Sequence, residues 1–75
     1  MLDDCYTYLA NAIIIQAAQD YRKALRILKR YPRNEFALTE KKNDEEFFTS
    51  DWFKQLTKVD GKRLMERLQK EVRRR

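Results

Sequence analysis

Apolar residues recur through the first third of the chain at the spacing of an α-helix. Leu2, Tyr6, Leu9, Ala10, Ile13, Ala17, Tyr21, Ala24, Leu28 and Tyr31 fall on one face at 100° per residue. The pattern predicts one helix of about eight turns, on the order of 42 Å long. Asp3 or Asp4 is placed to cap its start. Pro32 ends it, because proline cannot donate the next backbone hydrogen bond and disfavours helix at the residue before it. A second apolar stripe, Tyr8, Ala12 and Ile15 with Cys5 at its edge, lies on the far side. Followed toward the C-terminus, that flank becomes Gln19, Arg22, Arg26, Arg30 and Arg33. One flank is therefore apolar in its first half and cationic in its second. Asp20 falls on the core face. An unpaired buried carboxylate is costly, so Asp20 is expected to meet a Lys or Arg of a later helix or to cap a helix N-terminus.

Asn34 is a good N-cap for a second helix, about Glu35 to Thr49. Phe36 and Phe47 share one face of it, as do Ala37 and Phe48. The polar run Thr39 to Glu46 leaves only a narrow side to bury, and Asn43-Asp44 is a candidate break, so helix and loop both stand for residues 39–46. Ser50 or Thr49 caps a short third helix, Asp51 to Lys58, with Trp52, Phe53, Leu56 and Val59 as its apolar side. Trp52 is expected to fill the junction of the second and third helices. Asp60-Gly61 punctuates the chain and Asp60 caps a fourth helix, Lys62 to about Arg73, with Leu64, Met65, Leu68 and Val72 inward. The tail Arg73-Arg74-Arg75 is expected to fray. The resulting expectation is an all-α fold: a single domain over residues 1–75, a small bundle of three to four helices built on one long N-terminal helix. Its predicted core is Leu9, Ile13, Ala17, Ala24, Leu28, Tyr31, Phe48, Trp52, Phe53, Leu56, Leu64 and Leu68.

Composition narrows the possibilities. One Gly, one Pro and many helix-favouring residues support the all-helical reading. The longest apolar run, Ala12 to Ile15, is far too short for a membrane span. Asp3 and Asp4 stand where a signal peptide needs positive charge, so a cytoplasmic location is expected. A chain of 75 residues buries roughly 60 % of its unfolded surface, a marginal core. With one cysteine and no histidine, neither an internal disulfide nor a zinc site can supplement it. Association then becomes a natural route to stability.

The net charge of +5 is unevenly spread. Residues 1–21 carry −3, residues 22–33 carry +6, residues 34–51 carry −4 and residues 52–75 carry +6. The sharpest chemical signal is the run Arg22, Lys23, Arg26, Lys29, Arg30 and Arg33, whose guanidinium groups can fork onto phosphates. The competing reading is a solvated face, or one paired with the acidic second helix of its own chain. The absence of histidine removes the usual general base, and Asp44-Glu45-Glu46 lacks the spacing and glycine of a calcium loop. No catalytic residue, metal or cofactor is assigned. Trp52 to Glu71 has the outline of a helix-turn-helix, but Lys62 and Arg67 stand where that motif packs apolar residues. The aromatic group Phe47, Phe48, Trp52 and Phe53 is read as core rather than a stacking platform for bases. Cys5 is read as a small buried apolar residue rather than a reactive thiol. Tyr8, Ala12 and Ile15 are assigned to self-association, because a chain this short has few helices to cover both sides of its first one.

Two blocks carry a resemblance. One runs from Ala10-Asn11-Ala12-Ile13 through Gln16-Ala17-Ala18-Gln19-Asp20-Tyr21-Arg22-Lys23-Ala24-Leu25. The other is Phe47-Phe48-Thr49-Ser50-Asp51-Trp52-Phe53, followed by Leu56-Thr57, Asp60-Gly61 and Leu64. Together they resemble a group of small phage and prophage proteins of Gram-positive bacteria. The resemblance implies a phage setting, in which small non-enzymatic proteins regulate phage genes or block host defences. The functional expectation is a non-catalytic, oligomeric binding protein that engages a nucleic acid or nucleotide through its basic helix face. The alternative is a protein–protein inhibitor of a host defence system, anti-CRISPR-like, acting on a host protein through the apolar face.

Overall fold

A computed structural model describes the backbone of residues 2–73 and the side chains of residues 8–73. The expectations for Leu2, Tyr6, Cys5 and the Asp3 or Asp4 cap, and for the Arg74-Arg75 tail, lie outside the side chains so described. Four helices follow in order: α1 (Leu2–Arg30), α2 (Glu35–Phe48), α3 (Asp51–Leu56) and α4 (Gly61–Arg73). The small all-α bundle on a long first helix is the architecture the sequence predicts. At 29 residues, α1 is about 43 Å long. The whole molecule measures 45 × 23 × 17 Å, so α1 alone sets its length.

Local chemistry fixes the joints. Asn34 Oδ1 accepts from the Ala37 amide at 3.0 Å and starts α2. Ser50 Oγ accepts from the Phe53 amide at 3.2 Å and starts α3. Asp60 Oδ1 accepts from the Lys62 amide at 3.0 Å at the head of α4. Each of these caps satisfies an orphan amide of a first helical turn. Residues 39–46 are helix, and Asn43-Asp44 does not break it. The third helix stops at Leu56.

The rear of α1 is flanked on two sides. Against it, α2 runs antiparallel, so that Tyr21 of α1 meets Glu45 and Phe48. On the other flank α4 runs parallel, with Arg22 level with Glu71 and Lys29 reaching Val72. Ala18, Tyr21, Phe48, Phe53, Met65 and Leu68 form the core, with Ile14, Ala17, Leu25, Phe47 and Leu64 packed around it. The rings of Phe47, Phe48 and Phe53 meet edge to face or tilted, with centroids 5.6 Å apart.

Gly61, the first residue of α4, is buried against the end of α2. A Cβ there would stand 1.9 Å from the Phe48 carbonyl oxygen and 3.2 Å from the Phe53 ring. Its φ is not positive, so the glycine serves close approach rather than an unusual backbone angle.

The predicted core is right in part. Ala24, Phe48, Phe53 and Leu68 are buried, and Ala17, Leu28, Leu56 and Leu64 are half-buried. Leu9, Ile13, Tyr31 and Trp52 are exposed. The side of α1 that is buried, through Ala10, Ile14, Ala18, Tyr21 and Leu25, is rotated roughly 80° from the centre of the predicted face. The reason is length. On the flank of α1 that carries Asp20, Ala24 and Ile27, α2 is the covering helix, and it ends at Phe48 beside Tyr21. Leu9 and Ile13 continue that flank past the end of α2. At the junction of α2 and α3, Phe53 takes the place expected of Trp52. Adjacent helical residues point about 100° apart, so only one of the pair can face inward. Trp52 instead leans on Phe47 from outside, centroids 5.4 Å apart, and is 55 % exposed.

Candidate anion-binding face

The rear of α1 brings its bases to the side shared with α4, and they divide into distinct roles. Arg22 Nε donates to Glu71 Oε2 at 2.9 Å, an ion pair between helices. Lys29 Nζ donates to the Val72 carbonyl at 3.0 Å. That carbonyl lies in the last turn of α4, where acceptors lack intrahelical partners and the helix dipole favours a cation. Arg26, Arg30 and Arg33 are exposed. Lys23 points to a different side, into a depression between α1 and α2 that is also lined by Asp20, Phe36 and Glu40. Of the six bases in the sequence run, the structure brings Arg26, Lys29 and Arg30 to one groove, turns Arg22 to Glu71, separates Lys23, and leaves Arg33 exposed beyond the end of α1. Among the described residues, no ion pair joins the stripe to the acidic α2, so the expected alternative of pairing with that helix is not realised.

Two adjoining open grooves lie along this side. Arg26, Lys29, Arg30 and Val72 line one of about 510 Å³. Leu25, Lys29, Lys41, Gln69, Val72 and Arg73 line the next, of about 470 Å³. Lys29 and Val72 belong to both. Cations from three helices thus border an apolar floor of Leu25 and Val72, a surface suited to a phosphate with an attached flat or apolar group. Lys41 sits inside the acidic block of α2, so the charge pattern of the sequence does not point to it. The basic surplus of the fourth helix was the legible signal for Arg73.

Beneath the grooves runs a polar network that ties the three long helices together. Gln69 Nε2 donates to Tyr21 Oη at 2.9 Å, and Tyr21 Oη donates to Glu45 Oε2 at 2.7 Å. Lys41 Nζ stands 2.9 Å from the same carboxylate oxygen. Burial, reinforced by the Glu45 carboxylate and opposed by the Gln69 amide, pushes the Tyr21 phenol up to about 12. Burial alone would raise Glu45, but hydrogen bonds from Lys41 and Tyr21 outweigh it and hold that carboxyl below its ordinary value. The network is therefore ionised at Glu45 and protonated at Tyr21 near neutrality.

Asp20 does not find the cation or helix terminus expected of it. It is half-buried and accepts a hydrogen bond from Gln16 of its own helix at 3.0 Å. The buried acid is Asp44 of α2, only 8 % exposed, whose Oδ2 has no hydrogen-bond partner. Burial, together with the neighbouring Glu40, Asp20 and Glu45 carboxylates, pushes Asp44 up to about 7. Among the described residues, no group of His, Cys, Asp or Glu side chains is placed to hold a metal ion. The helix-turn-helix outline is not filled either: α3 has six residues, and both Lys62 and Arg67 are exposed. No helix is long and apolar enough to cross a membrane among the described residues.

The second assigned site, Tyr8, Ala12 and Ile15, is exposed on the front of α1, with Tyr8 75 % and Ile15 56 % accessible. No protein family, curated protein or solved structure matches the chain.

Proposed function

We propose that this protein is a non-catalytic binding protein that engages an anionic partner, a nucleic acid or nucleotide, through the rear of α1 and the last turn of α4. The observation that carries the reading is the convergence of Arg26, Lys29, Arg30, Lys41 and Arg73 around the Leu25–Val72 floor. Three helices meet there: Arg26, Arg30 and Arg73 are exposed, Lys29 and Lys41 are held at the groove by the Val72 carbonyl and Glu45, and the acid Glu71 is engaged by Arg22. Phosphate contacts of this kind give affinity without sequence readout. The likeness of the two sequence blocks to phage and prophage proteins supports a phage setting, and with it regulation or counter-defence in a bacterial cytoplasm.

Fluorescence anisotropy with duplex DNA, single-stranded DNA, RNA and a nucleoside triphosphate at low salt tests the proposal. Binding by one of them is expected, lost in the Arg26→Glu, Arg30→Glu double variant. Neutralising three phosphates of a duplex would give a log–log salt slope of about −3. Flat titrations with all four ligands would overturn the reading.

A further inference from the structure

The front half of α1 presents an apolar surface that the described residues of its own chain do not cover. Tyr8 is 75 % exposed, Leu9 61 %, Ile15 56 % and Ile13 38 %, with Ala12 exposed among them. In projection these five side chains fill a continuous arc of about 160°, with Ala12 near its middle. No charged residue interrupts the chain from Tyr8 to Gln19. Single exposed apolar residues are ordinary, but a contiguous set on one protruding helix marks an association surface.

We propose that a second copy of this chain covers that surface, its α1 antiparallel to the first and the two-fold axis passing near Ala12. The sizes of the side chains fit this occupant. Ala12 lets two helix backbones approach at the crossing, and each Tyr8–Leu9 turn then meets the partner's Ile15–Gln16 turn. The same patch serves both chains, as a two-fold contact requires.

Charge selects the direction. Residues 1–21 carry −3 and residues 22–33 carry +6. Parallel pairing would set acid on acid and base on base. Antiparallel pairing about Ala12 places residue 2 level with residue 22, so Asp3 and Asp4 of each chain lie within about a turn of the partner's Asp20, Arg22 and Lys23, two bases against one acid.

The area is adequate for a modest dimer. The four large side chains and Ala12 offer roughly 400 Å² of apolar surface per chain. With the exposed polar residues Asn11 beside the arc and Gln16 and Gln19 within its rear end, a symmetric pair buries on the order of 1,000 Å², the lower end of specific interfaces. One consequence rests on the proposed function as well. The basic face centres some sixteen residues beyond Ala12, so the dimer would carry two such faces about 48 Å apart and bind a long polyanion bivalently.

Sedimentation equilibrium of the full chain tests the pairing without any ligand. A concentration-dependent mass approaching twice 9.2 kDa is expected. Ala12→Glu and Ile15→Glu should each return it to 9.2 kDa with an unchanged helical circular-dichroism spectrum. Direction is read by crosslinking in a Cys5→Ser background. An equimolar mixture of Tyr8→Cys and Gln16→Cys chains should form the crossed disulfide in preference to either self-paired one. A mass of 9.2 kDa up to millimolar concentration would overturn the dimer and leave the surface to a different protein. Association that survives both Glu variants would overturn the surface, and predominant self-paired disulfides would overturn the antiparallel arrangement. Because none of these measurements contains an anion, a failure here is separate from a failure of polyanion binding.

Discussion

Ile13 and Ala24 stand within about 20° of one another on the projection of α1, three turns apart. Ala24 is 2 % exposed and Ile13 is 38 % exposed. The larger, more apolar residue is the one left in water. Nothing within the helix accounts for this, since both lie on the flank that α2 covers, and α2 reaches only one of them. The rear of α1 is held by α2, α4 and the Gln69–Tyr21–Glu45–Lys41 network. Among the described residues, the front is flanked by the short α3 and the start of α4, and buries Ala10 while leaving Tyr8, Leu9 and Ile15 outside. Hydrophobic periodicity thus marks which side of a helix is apolar, whereas burial depends on how far the neighbouring elements extend.

Substitutions should separate the two regions by stability, and the largest effect belongs at the joint that closes the rear. Gly61→Ala would drive a methyl into the Phe48 carbonyl, a backbone atom that cannot swing aside. A loss of about 3 kcal/mol or more is expected in urea denaturation, because overpacking against backbone forces α4 away from α2. A loss below about 1 kcal/mol would show that α4 can shift at little cost and that the rear is looser than its geometry implies.

Next in size is Tyr21→Phe, which leaves Glu45 and Gln69 facing a bare ring. A loss of about 2 kcal/mol is expected, with the core packing of the ring retained. Tyr21→Phe as stable as the parent would mean that water replaces the phenol and that the network does not hold the three helices.

Asp44 gives the rear a pH dependence of definite sign. Its carboxyl stands at about 7 in the folded chain against an ordinary 3.8. A raised carboxyl binds its proton more tightly when folded, so its contribution favours folding below about pH 4 and is lost as pH rises toward 7. Glu45, held below its ordinary value, acts in the opposite sense and loses its contribution only as the solution becomes acidic. Asp44→Asn should therefore be more stable than the parent at pH 8, by about 1 kcal/mol or more, and should flatten the decline between pH 5 and 8. Thermal melts of both proteins across that range check it; parallel curves would remove Asp44 as the source.

The smallest stability effect belongs to the front. Ile15→Glu at a concentration where the chain is monomeric should change folding stability by less than about 0.5 kcal/mol, since it removes no buried contact. A large loss in dilute solution would mean that the front of α1 is packed within the monomer and would erase the contrast between the two halves.

Much of the secondary structure was legible because its determinants are local. Asn34, Ser50 and Asp60 each cap the helix that follows, and Pro32 lies just past the end of α1. These signals depend on a side-chain oxygen within three residues of an amide, or on a missing N–H, and need no knowledge of the rest of the chain. The basic face was legible as a stripe, but its composition was not. Arg22 and Lys29 are turned to Glu71 and the Val72 carbonyl, and Lys41 joins from a segment whose net charge is negative. Trp52 and Phe53 show the same limit on a smaller scale. Both are large and aromatic, and only the direction in which α3 leaves Ser50 decides that Phe53 is the one inside.

By itself the sequence determined that this protein is a small bundle of three to four helices, where the later ones begin, and that its first helix is apolar on one side in front and cationic on that side behind. These are properties of neighbouring residues, set by hydrogen bonds and periodicity within a few turns. The tertiary structure decided that α2 covers the rear of α1 and not its front, that the buried acid is Asp44 rather than Asp20, and that of the predicted face Tyr21 is buried while Leu9 and Ile13 are exposed. Those outcomes depend on which elements lie side by side and how far each reaches, distances that no local pattern encodes.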